Sequence, residues 1–88
     1  MPFTYVLRSI KTRGLYTGAT TDPVKRLSQH NSNLSKATKN RGPWVLIHFE
    51  EFRTLGEALR RERFLKSGRG RDELKVILQQ KAPPESKE

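Results

Sequence analysis

The sequence predicts a small α/β (α+β) domain in which three strands and about three helices share one core. Three observations support this prediction, beginning with length: the chain has 88 residues, 33% of them hydrophobic, which is enough for one core but not for two. Short segments rich in β-branched and aromatic residues alternate with segments of helical periodicity, and the helical segments begin at residues that can cap a helix. We expect residues 1–80 to form the domain and residues 81–88 to form a flexible tail.

The two opening strands are predicted to form a β-hairpin. Residues 3–10 and residues 15–19 are rich in β-branched and aromatic residues, and Gly14 lies in the turn between them. Tyr5 and Tyr16 then lie on paired strands. Their rings can approach each other if the strand register allows it.

A first helix is marked by the residues at its start. Asp22 can accept hydrogen bonds from the free N–H groups of the first turn, and Pro23 stands where its missing donor does no harm. The pattern predicts a helix from Pro23 to about Asn33. Its apolar stripe would include Val24 near the start and Leu34 just past the end.

A polar loop and the strongest strand signal follow. Residues 32–42 are rich in Ser, Asn, Lys and Gly, which predicts a loop with little to bury that suits a phosphate backbone. Residues 44–52 are apolar at both alternating sets of positions, which predicts a central strand covered on both faces. Trp44 and His48 in this strand are assigned to packing.

Two further helices are predicted in the second half of the chain. Thr54 and Glu57 have the spacing of a capping box, which opens a helix that should end near Gly68 and Gly70. A third helix should cover about residues 71–80.

Glu62 departs from the pattern of the second helix. At about 100° per residue, the apolar stripe of this helix consists of Leu55, Ala58, Leu59 and Leu65, and Glu62 falls inside the same arc. A buried carboxylate without a partner is costly, so this one must be paired, protonated or bound to a cation. The two interpretations are an ion pair with a neighbouring arginine and a functional role in binding a cation.

The charge balance predicts a polyanionic partner. The chain has 18 Lys and Arg against 9 Asp and Glu, a formal charge of +9, and residues 1–49 contain eight basic residues and one acidic residue. Each basic side chain that neutralises a phosphate releases a counterion, which favours nucleic acid; the alternative is a basic surface that serves solubility alone. We expect DNA as the first choice of partner and RNA as the second, contacted by Lys25, Lys36, Lys39 and Arg41.

Two absences in the sequence exclude whole classes of function. The chain has no cysteine, which excludes a disulfide scaffold, a thiolate zinc site and a cysteine nucleophile, so that any metal would be a hard ion with oxygen or imidazole ligands. No stretch approaches the roughly 20 apolar residues that span a bilayer, and the N-terminus lacks the layout of a secretory signal. We therefore expect no membrane partner and a cytoplasmic location.

Four segments carry a resemblance to a known family. The first is Phe3-Thr4-Tyr5 and the second is Tyr16-Thr17-Gly18, with ten residues between the two tyrosines. The third runs from Thr20 to Asn31 and contains an arginine followed by His-Asn, and the fourth runs from Glu57 to Gly68 around a glutamate. In this order they resemble the GIY-YIG nuclease superfamily, specifically its small stand-alone members related to the catalytic domain of an excision-repair nuclease. The resemblance extends from Phe3 to about Leu78.

The resemblance implies a fold, a cofactor and a role for each matching residue. The fold is a three-stranded antiparallel sheet flanked by helices, and the cofactor is one divalent ion, Mg²⁺ or Mn²⁺, held by Glu62. Tyr16 would help to deprotonate the attacking water, and Tyr5 beside it would hold the water or a phosphate oxygen. Arg26 would contact the scissile phosphate, and His30 would serve in proton transfer or orientation.

The sequence departs from the family's motifs at two places, and the role implied for Tyr16 has one requirement. Phe3-Thr4 stands where the family has Gly-Ile, which concerns packing, and the asparagine that some members place after the metal helix has no clear counterpart. A free phenol has a pKa near 10 and is a poor base at neutral pH, so Tyr16 needs a nearby positive charge. Lys39 and Arg41 on the polar loop are the candidates for that charge.

Three functions from different classes remain open on the sequence. The first is a metal-dependent endonuclease that cleaves DNA phosphodiester bonds, in the repair or processing of branched or damaged DNA. The second is a nucleic-acid-binding module that retains the fold without turnover, and the third is a protein-interaction role with incidental basicity. The nuclease is favoured, because a binding-only protein has little need of a carboxylate on a core-facing stripe.

Overall fold

The structure, a computed structural model, describes residues 1–80. Three strands and three helices are present, as predicted: β1 (Phe3–Ser9), β2 (Leu15–Thr20), α1 (Pro23–Asn31), β3 (Trp44–Glu51), α2 (Leu55–Lys66) and α3 (Gly68–Gln80). The predicted flexible tail, residues 81–88, lies outside the described residues.

Both predicted helix starts are confirmed, whereas two other helix ends differ from prediction. The Asp22 side chain accepts a hydrogen bond from the Lys25 backbone N–H at 3.0 Å, and Thr54 and Glu57 form a complete capping box. Helix α1 ends at Asn31, before Asn33, because Asn33 adopts a left-handed φ of 61° that a continuing helix does not allow.

Helix α3 begins three residues earlier than predicted, at Gly68. The Ser67 side chain accepts a hydrogen bond from the Gly70 backbone N–H at 3.2 Å, so Ser67 caps the new helix directly after α2 ends. A side chain at Gly70 would overlap the Phe64 carbonyl group, which explains why this tight corner carries glycine.

The three strands form one antiparallel sheet in the order β2-β1-β3. The prediction that residues 44–52 form the central strand is wrong, because β1 occupies the centre and β3 lies at an edge. Val45 and Phe49 of β3 are 43% and 53% exposed, whereas Tyr5 and Val6 of β1 are 1% and 0% exposed. The run of apolar residues in β3 is longer, but only β1 has a strand on each side and packed side chains on both faces.

Two core clusters lie on opposite faces of β1. Tyr5, Leu7 and Trp44 form one of them, with α1 residue Leu27 packed against it. The other contains Val6 together with leucines from α2 and α3. Adjacent residues of β1 therefore anchor different layers, as the alternation of side chains along a strand requires.

The predicted apolar stripe of α1 is wrong at both of its ends. Val24 is 77% exposed and Leu34 is 73% exposed. Leu27 and His30, from the middle and the end of the helix, are the residues that α1 turns toward the sheet. No helix within residues 1–80 is long and apolar enough to cross a membrane.

Candidate active site

Two tyrosine side chains meet on one face of the sheet. In the register of β1 and β2, Tyr5 lies opposite Gly18 and Tyr16 lies opposite Leu7, and the two phenol rings have centroids 6.2 Å apart. Tyr5 is 1% exposed, whereas Tyr16 is only half-buried. A Cβ atom at Gly18 would lie 2.5 Å from the Tyr5 hydroxyl oxygen, so glycine is needed there to admit the ring.

A buried chain of hydrogen bonds starts at the Tyr5 hydroxyl group. The Tyr5 hydroxyl oxygen lies 2.9 Å from Nε2 of His30, and Nδ1 of His30 lies 2.7 Å from Oγ1 of Thr38. His30 and Thr38 are both fully buried. The loop between α1 and β3, predicted to have little to bury, thus delivers a buried hydroxyl group, because the indole N–H of Trp44 donates to the Thr38 carbonyl at 3.3 Å and holds the loop against the core.

His30 is neutral at neutral pH. Burial, aided by the positive charge of Arg26, lowers the pKa of His30 to about 4. One ring nitrogen therefore donates and the other accepts in the chain from Tyr5 to Thr38. His30 is therefore not a solvated surface side chain, because α1 turns it inward at its last turn.

Tyr5 keeps its proton. Burial raises the pKa of the Tyr5 phenol far above its usual range, and negative charge on Tyr16 or Glu62 raises it further, although Arg26 acts in the opposite direction. Arg26 thus lies close enough to affect the pKa of both Tyr5 and His30. Its guanidinium group donates to Oε1 of Gln29 at 2.7 Å, which holds it along α1.

Glu62 lies at the rim of a shallow cleft and forms an ion pair. Its Oε2 atom is 2.6 Å from Nζ of Lys66, one turn further along α2. The predicted alternative of an arginine partner is wrong, because Lys66 is the partner. The apolar stripe of α2 is also narrower than predicted: Ala58 is fully buried, but Leu59 is 43% exposed and lines the cleft beside Glu62.

Lys66 links the carboxylate to the phenols. Its Nζ atom lies 5.7 Å from the centroid of the Tyr16 ring, a distance at which a cation and an aromatic face attract. The cation beside Tyr16 is therefore Lys66, and not Lys39 or Arg41 of the polar loop. The side chain of Arg41 lies over Trp44 instead, with its guanidinium carbon 5.7 Å from the ring centroid.

The donor set at Glu62 fits one kind of metal ion. No group of three or more His, Asp or Glu side chains within residues 1–80 could hold a metal. Mg²⁺, however, commonly binds through one or two carboxylates, several waters and the phosphates of a substrate. Glu62 alone, with 20% of its side chain exposed at a cleft, fits an ion that it would share with a substrate phosphate.

The predicted nucleic-acid contacts lie on α1 and on the loop that follows it. Lys25 lies on α1, and Lys36, Lys39 and Arg41 lie on the loop after it; all four residues are exposed. This part of the chain also supplies Arg26, so positive charge extends from the site along α1 and the loop.

Sequence reasoning gave no role at this site to two residues that the structure brings to it. Lys66 had a usable signal, because it stands four residues after Glu62 and such pairs meet on one face of a helix. Thr38 had none, since it stands in a loop rich in serine, lysine and asparagine and only the folded loop distinguishes it.

The chain is similar in sequence to a known family and to several known proteins. Residues 1–75 match the family model of the GIY-YIG catalytic domain. The UPF0213 protein of Staphylococcus haemolyticus is 38% identical over 76 residues, which cover 85% of this chain and 92% of that protein. The UPF0213 protein of Clostridium perfringens is 37% identical over 78 residues, covering 88% of this chain and 83% of the relative.

A solved structure extends the comparison to three dimensions. The solution NMR structure of the UPF0213 protein from Bacillus halodurans has a TM-score of 0.52 and 34% sequence identity, covering 88% of this chain and 85% of the other. The resemblance carried by the four sequence segments is therefore confirmed. With the family model matched over most of its length, the chain belongs to the GIY-YIG family, whose members are generally nucleases.

Proposed function

We propose that this protein is an endonuclease that hydrolyses DNA phosphodiester bonds with the help of a divalent metal ion. The observation that carries the proposal is the convergence of Tyr5, Tyr16, His30 and the Glu62–Lys66 pair from four different elements. A phosphodiester hydrolase needs a proton acceptor, a group that stabilises charge on phosphate and a ligand for the metal. The candidates for these three roles are Tyr16, Arg26 and Glu62.

Tyr16 is the proposed proton acceptor for the attacking water. It is the more accessible of the two phenols, and the ammonium group of Lys66 lies against its ring. Lys66 would therefore supply the nearby positive charge that this role requires. Tyr5 is unsuited to this role, because burial keeps its proton in place.

Tyr5 and His30 act instead as a fixed hydrogen-bonding pair. Since His30 is neutral and its Nδ1 atom is engaged by Thr38, its other nitrogen can hold the Tyr5 hydroxyl group at 2.9 Å in one orientation. Tyr5 can then position the water or a phosphate oxygen beside Tyr16. Of the two roles expected for His30, orientation is the better supported, because an imidazole with a pKa of about 4 binds a proton poorly at neutral pH.

Arg26 is the proposed phosphate ligand. It is half-buried, donates to the neutral Gln29 side chain, also acts on the Tyr5 phenol, and has no carboxylate as an ion-pair partner within residues 1–80. A guanidinium group with no carboxylate partner retains its charge for an incoming phosphate, whose oxygens match its planar donors.

Glu62 is the proposed metal ligand, with Lys66 as its partner until the substrate arrives. A bound Mg²⁺ or Mn²⁺ ion would supply Lewis-acid stabilisation of charge on the phosphate. Glu62 would exchange its contact with Lys66 for a contact with the ion. The freed ammonium group of Lys66 would then remain beside Tyr16, where the proton is taken.

Two finer assignments accompany the proposal. The likeness to the catalytic domain of an excision-repair nuclease suggests a substrate arising in the repair or processing of branched or damaged DNA. A role on genomic DNA also assigns the protein to the cytoplasm.

The second candidate is a nucleic-acid-binding module without turnover, with RNA as its alternative ligand. One observation favours it: Lys66 neutralises Glu62 within the chain itself, so the carboxylate does not require a metal. The module would bind DNA with a strong salt dependence and leave every substrate intact.

Cleavage of plasmid and flap DNA in Mg²⁺ decides between these functions. We expect the wild-type chain to cut and Glu62→Gln to be inactive, with Asp72→Asn as a matched control because Asp72 is an exposed acid on α3. Equal cleavage by wild type and Glu62→Gln would remove the metal role. Binding without cleavage by the wild type would establish the module, and negligible affinity for both DNA and RNA would leave the protein-interaction role.

A further inference from the structure

An apolar groove adjoins the candidate site, and the proposed chemistry does not use it. It lies between β2, the end of α2 and α3, with a volume of about 450 Å³. Four leucines line it, Leu15, Leu65, Leu74 and Leu78, together with the ring of Tyr16. Pockets for small organic groups are commonly about 300–1,000 Å³, so a nucleobase fits here.

The rim of the groove is positively charged. Lys66, Arg71 and Lys75 line it and are exposed, and no acidic side chain within residues 1–80 is part of the lining. Apolar walls beneath a cationic rim match an unpaired nucleotide, whose base seeks an apolar or aromatic surface while its phosphates seek cations. A second copy of this chain matches less well, because its own formal charge is +9.

The groove and the candidate site share two side chains. Tyr16 lines the groove and is also the proposed proton acceptor. Lys66 lines the groove and also the cleft that contains Glu62. A strand with a phosphate beside Tyr16 therefore has its neighbouring nucleotide within reach of the groove.

We propose that this groove receives the base of an unpaired nucleotide next to the cleaved phosphate, so that the substrate is a DNA strand unpaired at that position. The inference rests on the proposed function and deepens it by naming the substrate class. In a duplex the same base is stacked and paired, and extracting it costs free energy that a strand already unpaired does not require. The groove therefore selects single strands, flaps and gaps over intact duplex.

Binding in EDTA tests the groove without any need for cleavage. Fluorescence anisotropy is measured with a short single-stranded oligodeoxynucleotide and with its blunt duplex, for the wild type, Leu15→Ser and Leu34→Ser. Both leucines are largely exposed, at 46% and 73%, but only Leu15 lines the groove. We expect Leu15→Ser to weaken single-strand binding by about tenfold and to leave duplex binding unchanged. We expect Leu34→Ser to change neither affinity.

A second pair of variants tests the charged rim. Arg71 lines the groove, whereas Arg69 is exposed on the same helix and does not. Arg71→Ala should reduce the salt dependence of single-strand binding by about one phosphate contact. Arg69→Ala should leave it unchanged.

An abasic oligonucleotide separates base recognition from a general loss of affinity. If the groove holds a base, the wild type binds a strand without bases more weakly than the intact strand. The Leu15→Ser variant should then bind that abasic strand almost as tightly as the wild type does. The inference would be overturned if Leu15→Ser weakened the binding of intact and abasic strands equally, or of single strand and duplex equally. Tighter binding of the matching oligoribonucleotide would overturn the choice of DNA. A wild-type chain that binds through the groove but cuts nothing in Mg²⁺ would refute the nuclease proposal while leaving the groove as a binding site.

Discussion

Two polar clusters, to which α2 contributes the adjacent residues Arg61 and Glu62, hold their carboxylates in different ways. Away from the tyrosines, Glu50 accepts two hydrogen bonds from Arg61, at 2.7 and 3.2 Å, and lies 2.9 Å from Nε2 of His48. Arg61 also reaches Glu73 at 2.7 Å, so that β3, α2 and α3 are joined. Glu62 in the candidate site has one lysine as its ion-pair partner within residues 1–80.

The difference indicates what each carboxylate can do. Burial alone would raise the pKa of Glu50, but hydrogen bonds from Arg61 and His48 lower it below its ordinary value. That carboxylate is committed to its partners by a planar, two-point contact. Glu62 has a single, flexible and exchangeable partner, which leaves it available to a ligand. The mode of pairing thus distinguishes Glu50, which is held by its partners, from Glu62, which is available to a ligand.

The largest expected effect concerns Tyr16. Tyr16→Phe removes the hydroxyl group that would take the proton and should lower kcat by about 10²–10⁴-fold. The fold should persist, because the ring still packs against Tyr5 and His30. Single-turnover cleavage together with urea unfolding measures both quantities. A kcat within a factor of two of wild type would show that another group accepts the proton.

Next in size is the response of the two ion-pair clusters to loss of their cations. Arg61→Met leaves Glu50 and Glu73 without their shared partner and should reduce the free energy of unfolding by about 3 kcal/mol. Lys66→Met removes a largely exposed pair and should change it by less than about 0.5 kcal/mol, while cleavage falls. Chemical denaturation of both variants measures the two changes in unfolding free energy. Equal destabilisation by both variants would contradict the comparison.

The pH dependence of stability is expected to carry the signature of His30. Its folded pKa of about 4 lies below its ordinary value, so the unfolded chain binds more protons between about pH 4 and pH 6.5. Stability from this residue is therefore complete above pH 6.5 and is lost as pH falls through this window, by up to about 3 kcal/mol. Urea unfolding from pH 4 to 7 should show that the free energy of unfolding rises with pH in the wild type. The part of this rise that comes from His30 should be absent in His30→Gln. An unchanged slope in that variant would assign the effect elsewhere.

The last prediction concerns Thr38. Thr38→Val removes the buried partner of His30 Nδ1 at nearly constant volume and should cost about 1–3 kcal/mol of unfolding free energy. If Thr38 positions His30 for Tyr5, kcat falls as well while KM changes little. Thr38→Ser keeps the hydroxyl group and should restore both. Recovery of stability but not of kcat in the serine variant would limit Thr38 to a structural role.

Local signals in the sequence were reliable where one short segment contains all the relevant chemistry. The caps at Asp22 and Thr54 and the pairing of the first two strands follow from residues within a few positions of one another. The order of strands was not predictable in this way. The stretch at Trp44 is the more apolar one, yet β1 is central, because burial depends on which elements cover a strand and not on its own composition.

The same distinction between local sequence and tertiary structure applies to the candidate site. The sequence by itself determined the residue types, namely two tyrosines, an arginine, a histidine and a glutamate at family-like spacings, together with the strong positive charge. Only the tertiary structure decided that His30 is buried and neutral, that Thr38 completes its hydrogen bonds and that Lys66 joins Glu62 to Tyr16. Protonation and pairing depend on desolvation and on charges brought together from distant parts of the chain, and these exist only once the chain has folded.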